Sequence, residues 1–185
     1  MAYRNGTYVA FHADGNNLPG GKSDIDFYNL LCAWNAHKHH DFAIINTHDK
    51  FSAVRDSSKK ATLRAALLER LRNSKNMLLI VGDTTRFDTD WVPFEIEKAV
   101  DTYGIPIIVA YTGVGTAIRN AFDYSGYWPP ALVSRINNES ASAIHIPFKQ
   151  APIYSAIDQF DHNNPPLGGG VGIYNDEAYR SWGIS

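Results

Sequence analysis

A single cysteine, Cys32, stands among the 185 residues, so no disulfide can close within the chain. No apolar run approaches the roughly 20 residues that span a bilayer. The opening residues Met1-Ala2-Tyr3-Arg4-Asn5-Gly6 lack the apolar stretch of a signal peptide. Strong charge of one sign is missing too. With 17 basic and 19 acidic residues the formal net charge is −2, which gives no electrostatic reason to expect nucleic acid or an acidic membrane as partner. The expectation from these absences is a cytoplasmic protein without a membrane or nucleic-acid partner, and a neutral-to-anionic small molecule stays open as a ligand.

What is present is apolar and patterned. Hydrophobic residues make up 44% of the chain and aromatics 12%, enough at this length to bury one substantial core. Residues 7–12 are β-branched and aromatic and stop at Asp14-Gly15, as a strand followed by a loop does. A helix is expected over residues 25–36 and a short strand over residues 42–46. Asp56, Ser57 and Ser58 offer caps for a helix in which Leu63, Leu67 and Leu71 recur at every fourth position and form one stripe. The run Met77-Leu78-Leu79-Ile80-Val81-Gly82 is apolar without alternation, as expected of a central parallel strand covered on both faces.

Asp90 is placed to cap the next helix, with Pro93 in its first turn and Gly104 and Pro106 ending it near Tyr103. Strands over residues 105–111 and 143–148 and a last helix over residues 152–160 complete the alternation, while residues 112–142 show no clear period. Strands alternating with helices predict an α/β fold: a flavodoxin-like, doubly wound, five-stranded parallel sheet with helices on both faces. The expected domain spans residues 1–160. Residues 161–185 form a loop-rich tail packed on it.

Ligands of open parallel sheets bind beyond the C-terminal ends of the strands, which singles out residues after His12, Asn46, Gly82 and Tyr111. Glu95 falls in the early turns of the helix after the central strand, with Trp91 four residues before it on the same side. A carboxylate there offsets positive charge as a glycosidic bond opens, and an indole excludes water. An early-turn acid also complements the helix dipole, so position alone leaves a structural role open.

The stretch Trp91-Val92-Pro93-Phe94-Glu95-Ile96 resembles the W-V-x-aromatic-E-I segment of the TIR-like proteins of the Thoeris anti-phage systems. The resemblance runs from residue 7 to residue 111. It takes in Ser57-Ser58, the leucine-striped helix, Ser74 and the strand ending at Gly82, and reaches back to Phe11-His12. It departs at Ala10, where many TIR domains carry serine, and in the long loop from Gly82 to Trp91. In that family the glutamate is the catalytic residue of NAD cleavage, so the resemblance implies a catalytic Glu95. It further implies a substrate pocket drawing on Phe11, His12, Asp14, Trp91 and the loop after the second strand, including Asp49 and Ser57.

NAD is then substrate and no separate cofactor or metal is required. The implied product is a cyclic ADP-ribose isomer, or an ADP-ribosyl conjugate, that reaches a separate effector protein after a phage-derived trigger, with self-association into a homo-oligomer as a further implied property. A TIR-like scaffold without turnover is the alternative from another class.

Other motifs are weaker. Gly15-Asn16-Asn17-Leu18-Pro19-Gly20-Gly21-Lys22-Ser23 imitates a phosphate-binding loop, but its glycine spacing is one residue too long. Asp83 imitates the phosphoacceptor of a receiver domain without the usual acidic pair. His37, His39 and His40 suit a helix C-terminus better than zinc, and with one cysteine, no H-x-x-x-H spacing on a helix and no carboxylate cluster nearby, these three and His48 carry no zinc signature. The Gly168-Gly169-Gly170 run follows no strand and reads as loop.

Overall fold

The computed structural model describes residues 4–12, 24–36, 43–45 and 57–185. Within these, strands β1 (Gly6–Ala10), β2 (Ala43–Ile45), β3 (Ser74–Val81), β4 (Ile107–Tyr111) and β5 (Ala143–Pro147) are all parallel. They alternate with α1 (Asp24–Ala36), α2 (Ser57–Arg72), α3 (Trp91–Glu97), α4 (Pro130–Asn137) and α5 (Gln150–Gln159). The spatial order is β2-β1-β3-β4-β5, so the winding reverses between β1 and β3. The tail contributes more than a loop. Its residues Gly172–Ile173 form β6 beside β5, a sixth parallel strand, and Asp176–Ser181 form α6.

Pleating divides the core. Tyr8, Ala10, Met77, Leu79, Val81, Ile107 and Val109 face α2, α3 and α4, and the α2 leucines Leu63, Leu67 and Leu71 are buried against them. Val9, Phe11, Leu78, Ile80, Ile108 and Ala110 face α1 and α5 on the other side. The unbroken apolar run of β3 thus reflects burial on both faces. Asn76, the polar residue within it, is satisfied: its carbonyl accepts from Thr7 Oγ1 at 2.8 Å, and its amide donates to the carbonyls of Ile157 and Phe160.

Two local expectations change. Helix α3 runs into a π-helical turn, Lys98–Thr102, before Gly104 takes a φ of +60° and ends it. The Asp90 side chain does not cap α3; Asp88 does, accepting from the backbone amides of Asp90 (2.8 Å) and Trp91 (3.0 Å). No helix of the described residues is long and apolar enough to cross a membrane.

Candidate functional site

The reversal between β1 and β3 brings together the residues that follow these strands. Glu95 is fully buried on the inner side of α3. Tyr8, from β1, donates its hydroxyl to Glu95 Oε1 at 2.5 Å. Burial first, then the charge of Glu95 and the hydrogen bond to it, hold the Tyr8 phenol well above its ordinary pKa, so it stays a neutral donor to the carboxylate. Trp91, one turn earlier, is 9% exposed. Lys60 and Arg64 of α2 bring their cations to 5.6 and 6.0 Å from its ring centroid, and both pair with Asp90. The start of α3 therefore carries two cations over an aromatic face.

His12 follows β1 and keeps 19% side-chain exposure. Its Nδ1 lies 3.0 Å from Asp88 Oδ2, while the other oxygen of Asp88 caps α3. One carboxylate thus fixes the histidine ring and the helix that bears Glu95. Burial opposes ionisation of Asp88, but the hydrogen bonds from His12 and the Asp90 amide, with the charge on His12, outweigh it and leave its pKa below the usual value.

A third carboxylate, Asp24, opens α1 in a buried position. It accepts from Thr85 Oγ1 at 2.7 Å, and Thr85 in turn accepts from the Gly82 amide at 2.8 Å. Gly82 has no room for a side chain, because a Cβ there would meet Asp24 Oδ1 at 2.1 Å. Burial raises the Asp24 pKa from 3.8 to about 6, against the hydrogen bond from Thr85 and the charge of His12. In the folded state Asp24 therefore binds a proton more tightly than in the unfolded chain. The stability this contributes is present below about pH 4 and is lost as pH rises through 6, a loss on the order of 3 kcal/mol. Asp88 acts with the opposite sign, losing its contribution as pH falls below the usual carboxylate range. Urea midpoints measured from pH 4 to 7 are expected to show Asp24→Asn gaining on the wild type as pH rises; parallel profiles would remove the assignment.

Of the residues singled out in the sequence, the structure brings Trp91, Glu95 and His12 to the β1/β3 edge. Phe11 is on the other face, stacked on Tyr28 with centroids 4.8 Å apart, because it is three residues from Tyr8 and the pleat alternates. Ser57 begins α2. Asp14, Asp49, Asp56, the segment 15–23 and His37, His39, His40 and His48 lie outside the described residues. Asp88 and Asp24 are additions that sequence reasoning missed. A cue existed for Asp88, which sits three residues before Trp91 at the spacing of a capping side chain; Asp24 carried none beyond its place at a helix start.

A parallel sheet of this order, with a buried carboxylate on the helix after its central strand, defines a flavodoxin-like, TIR-like α/β domain. The family model described as Thoeris protein ThsB, TIR-like domain, matches residues 8–114, more than half of the chain, and the chain belongs to that family. The matched segment begins at Tyr8 and takes in His12, Asp24, Asp88, Trp91 and Glu95. The family ties the domain to a TIR-like role in anti-phage defence.

Proposed function

We propose that this domain is an NAD-processing enzyme of anti-phage defence that breaks the nicotinamide–ribose bond. The observation that carries the reading is Glu95, a carboxylate held by Tyr8 on the helix after the central strand, inside the family-matched segment. As the bond between ribose C1′ and the pyridinium nitrogen opens, its electron pair leaves with nicotinamide. Positive charge develops on the ribose, where a carboxylate in a water-poor site stabilises it. A nucleophile of the same molecule, of water or of an amino acid then closes on C1′ and gives up its proton. His12, oriented by Asp88 and 19% exposed, is suited to receive it when its imidazole is neutral.

The product in this reading is a cyclic ADP-ribose-type or ADP-ribosyl-conjugate signal, made in the cytoplasm after a phage-derived trigger and sensed by a separate effector. NAD is the substrate and no further cofactor takes part. Because Glu95 is fully buried, NAD reaches it only after its surroundings open, which suits an enzyme that rests until triggered or assembled. The same burial favours a second reading, a TIR-like scaffold that self-associates without turnover. Chromatography of NAD incubated with the protein, alone and with extract of phage-infected cells, separates the two. Nicotinamide with a matching ADP-ribosyl product supports the enzyme; unconsumed NAD in both samples, from a protein that self-associates, supports the scaffold.

A further inference from the structure

We infer that the domain has a second small-molecule site, separate from Glu95: a cavity at the ends of β3 and β4 that takes an aromatic nucleoside. The cavity encloses about 270 Å³ between Gly82-Asp83, Tyr111-Thr112, the loop Gly113-Val114-Gly115-Thr116 and the rings of Tyr124 and Tyr127. It opens beyond the C-terminal ends of β3 and β4, next to the reversal between β1 and β3. Gly82 lines the cavity beside the Asp24 cluster: a Cβ on this residue would meet Asp24 Oδ1 at 2.1 Å and Thr112 Oγ1 at 3.3 Å.

The lining selects the chemistry. Among the described residues Asp83 is its one charged side chain, which disfavours phosphate and favours groups that donate hydrogen bonds, such as ribose hydroxyls or a ring amine. Tyr124, packed on Tyr111 with ring centroids 4.9 Å apart, and the 39% exposed Tyr127 add aromatic side chains to the lining. The volume lies just under the roughly 300–1,000 Å³ of pockets that enclose drug-sized ligands, which suits a nucleoside better than a dinucleotide.

Gly113 and Gly115 supply a further argument. Neither has a positive φ, and a Cβ on either would meet nothing within 4 Å among the described residues. Neither a positive φ nor a close neighbour among the described residues demands glycine there. Both line the cavity at its exposed rim, where a larger side chain would narrow it.

The walls are also held in place. Arg86 Nη1 donates to the Gly126 carbonyl at 2.6 Å, and the Ala117 amide donates to the carbonyl of Ser185 at 3.0 Å. Trp128 Nε1 donates to the Tyr111 hydroxyl at 2.6 Å. The site is thus formed before any ligand arrives, which lowers the ordering cost of binding.

Adenosine is the probe, titrated calorimetrically into the whole chain. Saturable binding is expected. Gly115→Leu should weaken it about tenfold or more by narrowing the cavity, and Tyr127→Ala about fivefold or more by removing an aromatic side chain from the lining. Because Tyr127 is 39% exposed, its truncation keeps the test valid if the leucine variant fails to fold. Glu95→Gln should bind adenosine as the wild type does, so this result stands or falls apart from the fate of NAD cleavage. The inference is overturned by absence of saturation, by undiminished affinity in both cavity variants, by loss of affinity in Glu95→Gln, or by ribose 5-phosphate binding as tightly as adenosine.

Discussion

Glu95→Gln is expected to lower nicotinamide release from NAD by about 10²- to 10³-fold, the usual cost of removing a positioned group that stabilises transition-state charge. The amide keeps an oxygen for the Tyr8 hydroxyl, which donates to Oε1 in the wild type, and keeps nearly the same volume. The melting temperature should therefore change little, and the loss would report charge instead of folding. Glu95→Ala confounds the two, because it leaves the buried Tyr8 hydroxyl without its acceptor, at a cost of about 1–3 kcal/mol. Steady-state rates paired with thermal unfolding of the same preparations check this. An amide variant that unfolds early would instead show that the charge of Glu95 is needed for the fold.

Trp128→Ala is expected to produce the largest loss of stability. Trp128 is buried and donates to the Tyr111 hydroxyl, which lies 2.7 Å from His145 Nδ1; His145 Nε2 lies 2.9 Å from the Gly170 carbonyl. A carbonyl only accepts, so Nε2 carries the proton and Nδ1 accepts from Tyr111. Burial lowers the His145 pKa to about 4, against the bond to Gly170, and keeps this neutral tautomer in place. The chain of bonds joins β4, β5, the loop before α4 and the tail. Truncating the indole empties a large volume and removes the first donor, which should cost about 3–5 kcal/mol. At roughly 2–4 °C per kcal/mol for a domain of this size, the melting temperature should fall by about 10 °C. Trp128→Phe, which restores most of the volume, should recover much of the loss. Equal melting temperatures for Trp128→Ala and the wild type would show that the network carries no stability.

The sheet was legible wherever local pattern and burial agree. The leucine stripe of α2 and the unbroken run of β3 each name an element and its environment, and the alternation with helices fixes the winding. Residues 112–142 were opaque because their order comes from distant partners: Trp128 on Tyr111, Ala117 on Ser185, Arg86 on Gly126. Pro130 at the first position of α4, with Leu132 and Ile136 buried four residues apart, was a usable helix signal in that stretch. Residues 172–173 escape any periodicity argument, since two residues make a strand only when a neighbour supplies the pairing.

In the site, the position of Glu95 after the central strand could be read directly from the order of the elements. Its bond to Tyr8 could not, nor could the pairing of His12 with Asp88 or of Asp24 with Thr85, because each joins residues more than 60 positions apart. Phe11 shows the converse. The alternation from Tyr8 through Ala10 already puts it on the face opposite Glu95, so a stricter use of the pleat would have separated it from the carboxylate.

The most direct test of Glu95 as the group that opens the glycosidic bond is the rate of nicotinamide release by wild type and Glu95→Gln. Both are purified alike and supplied with NAD in extract of phage-infected cells. Release by the wild type with its near-complete loss in the variant is the expected result. Release at equal rates by the two proteins would contradict it.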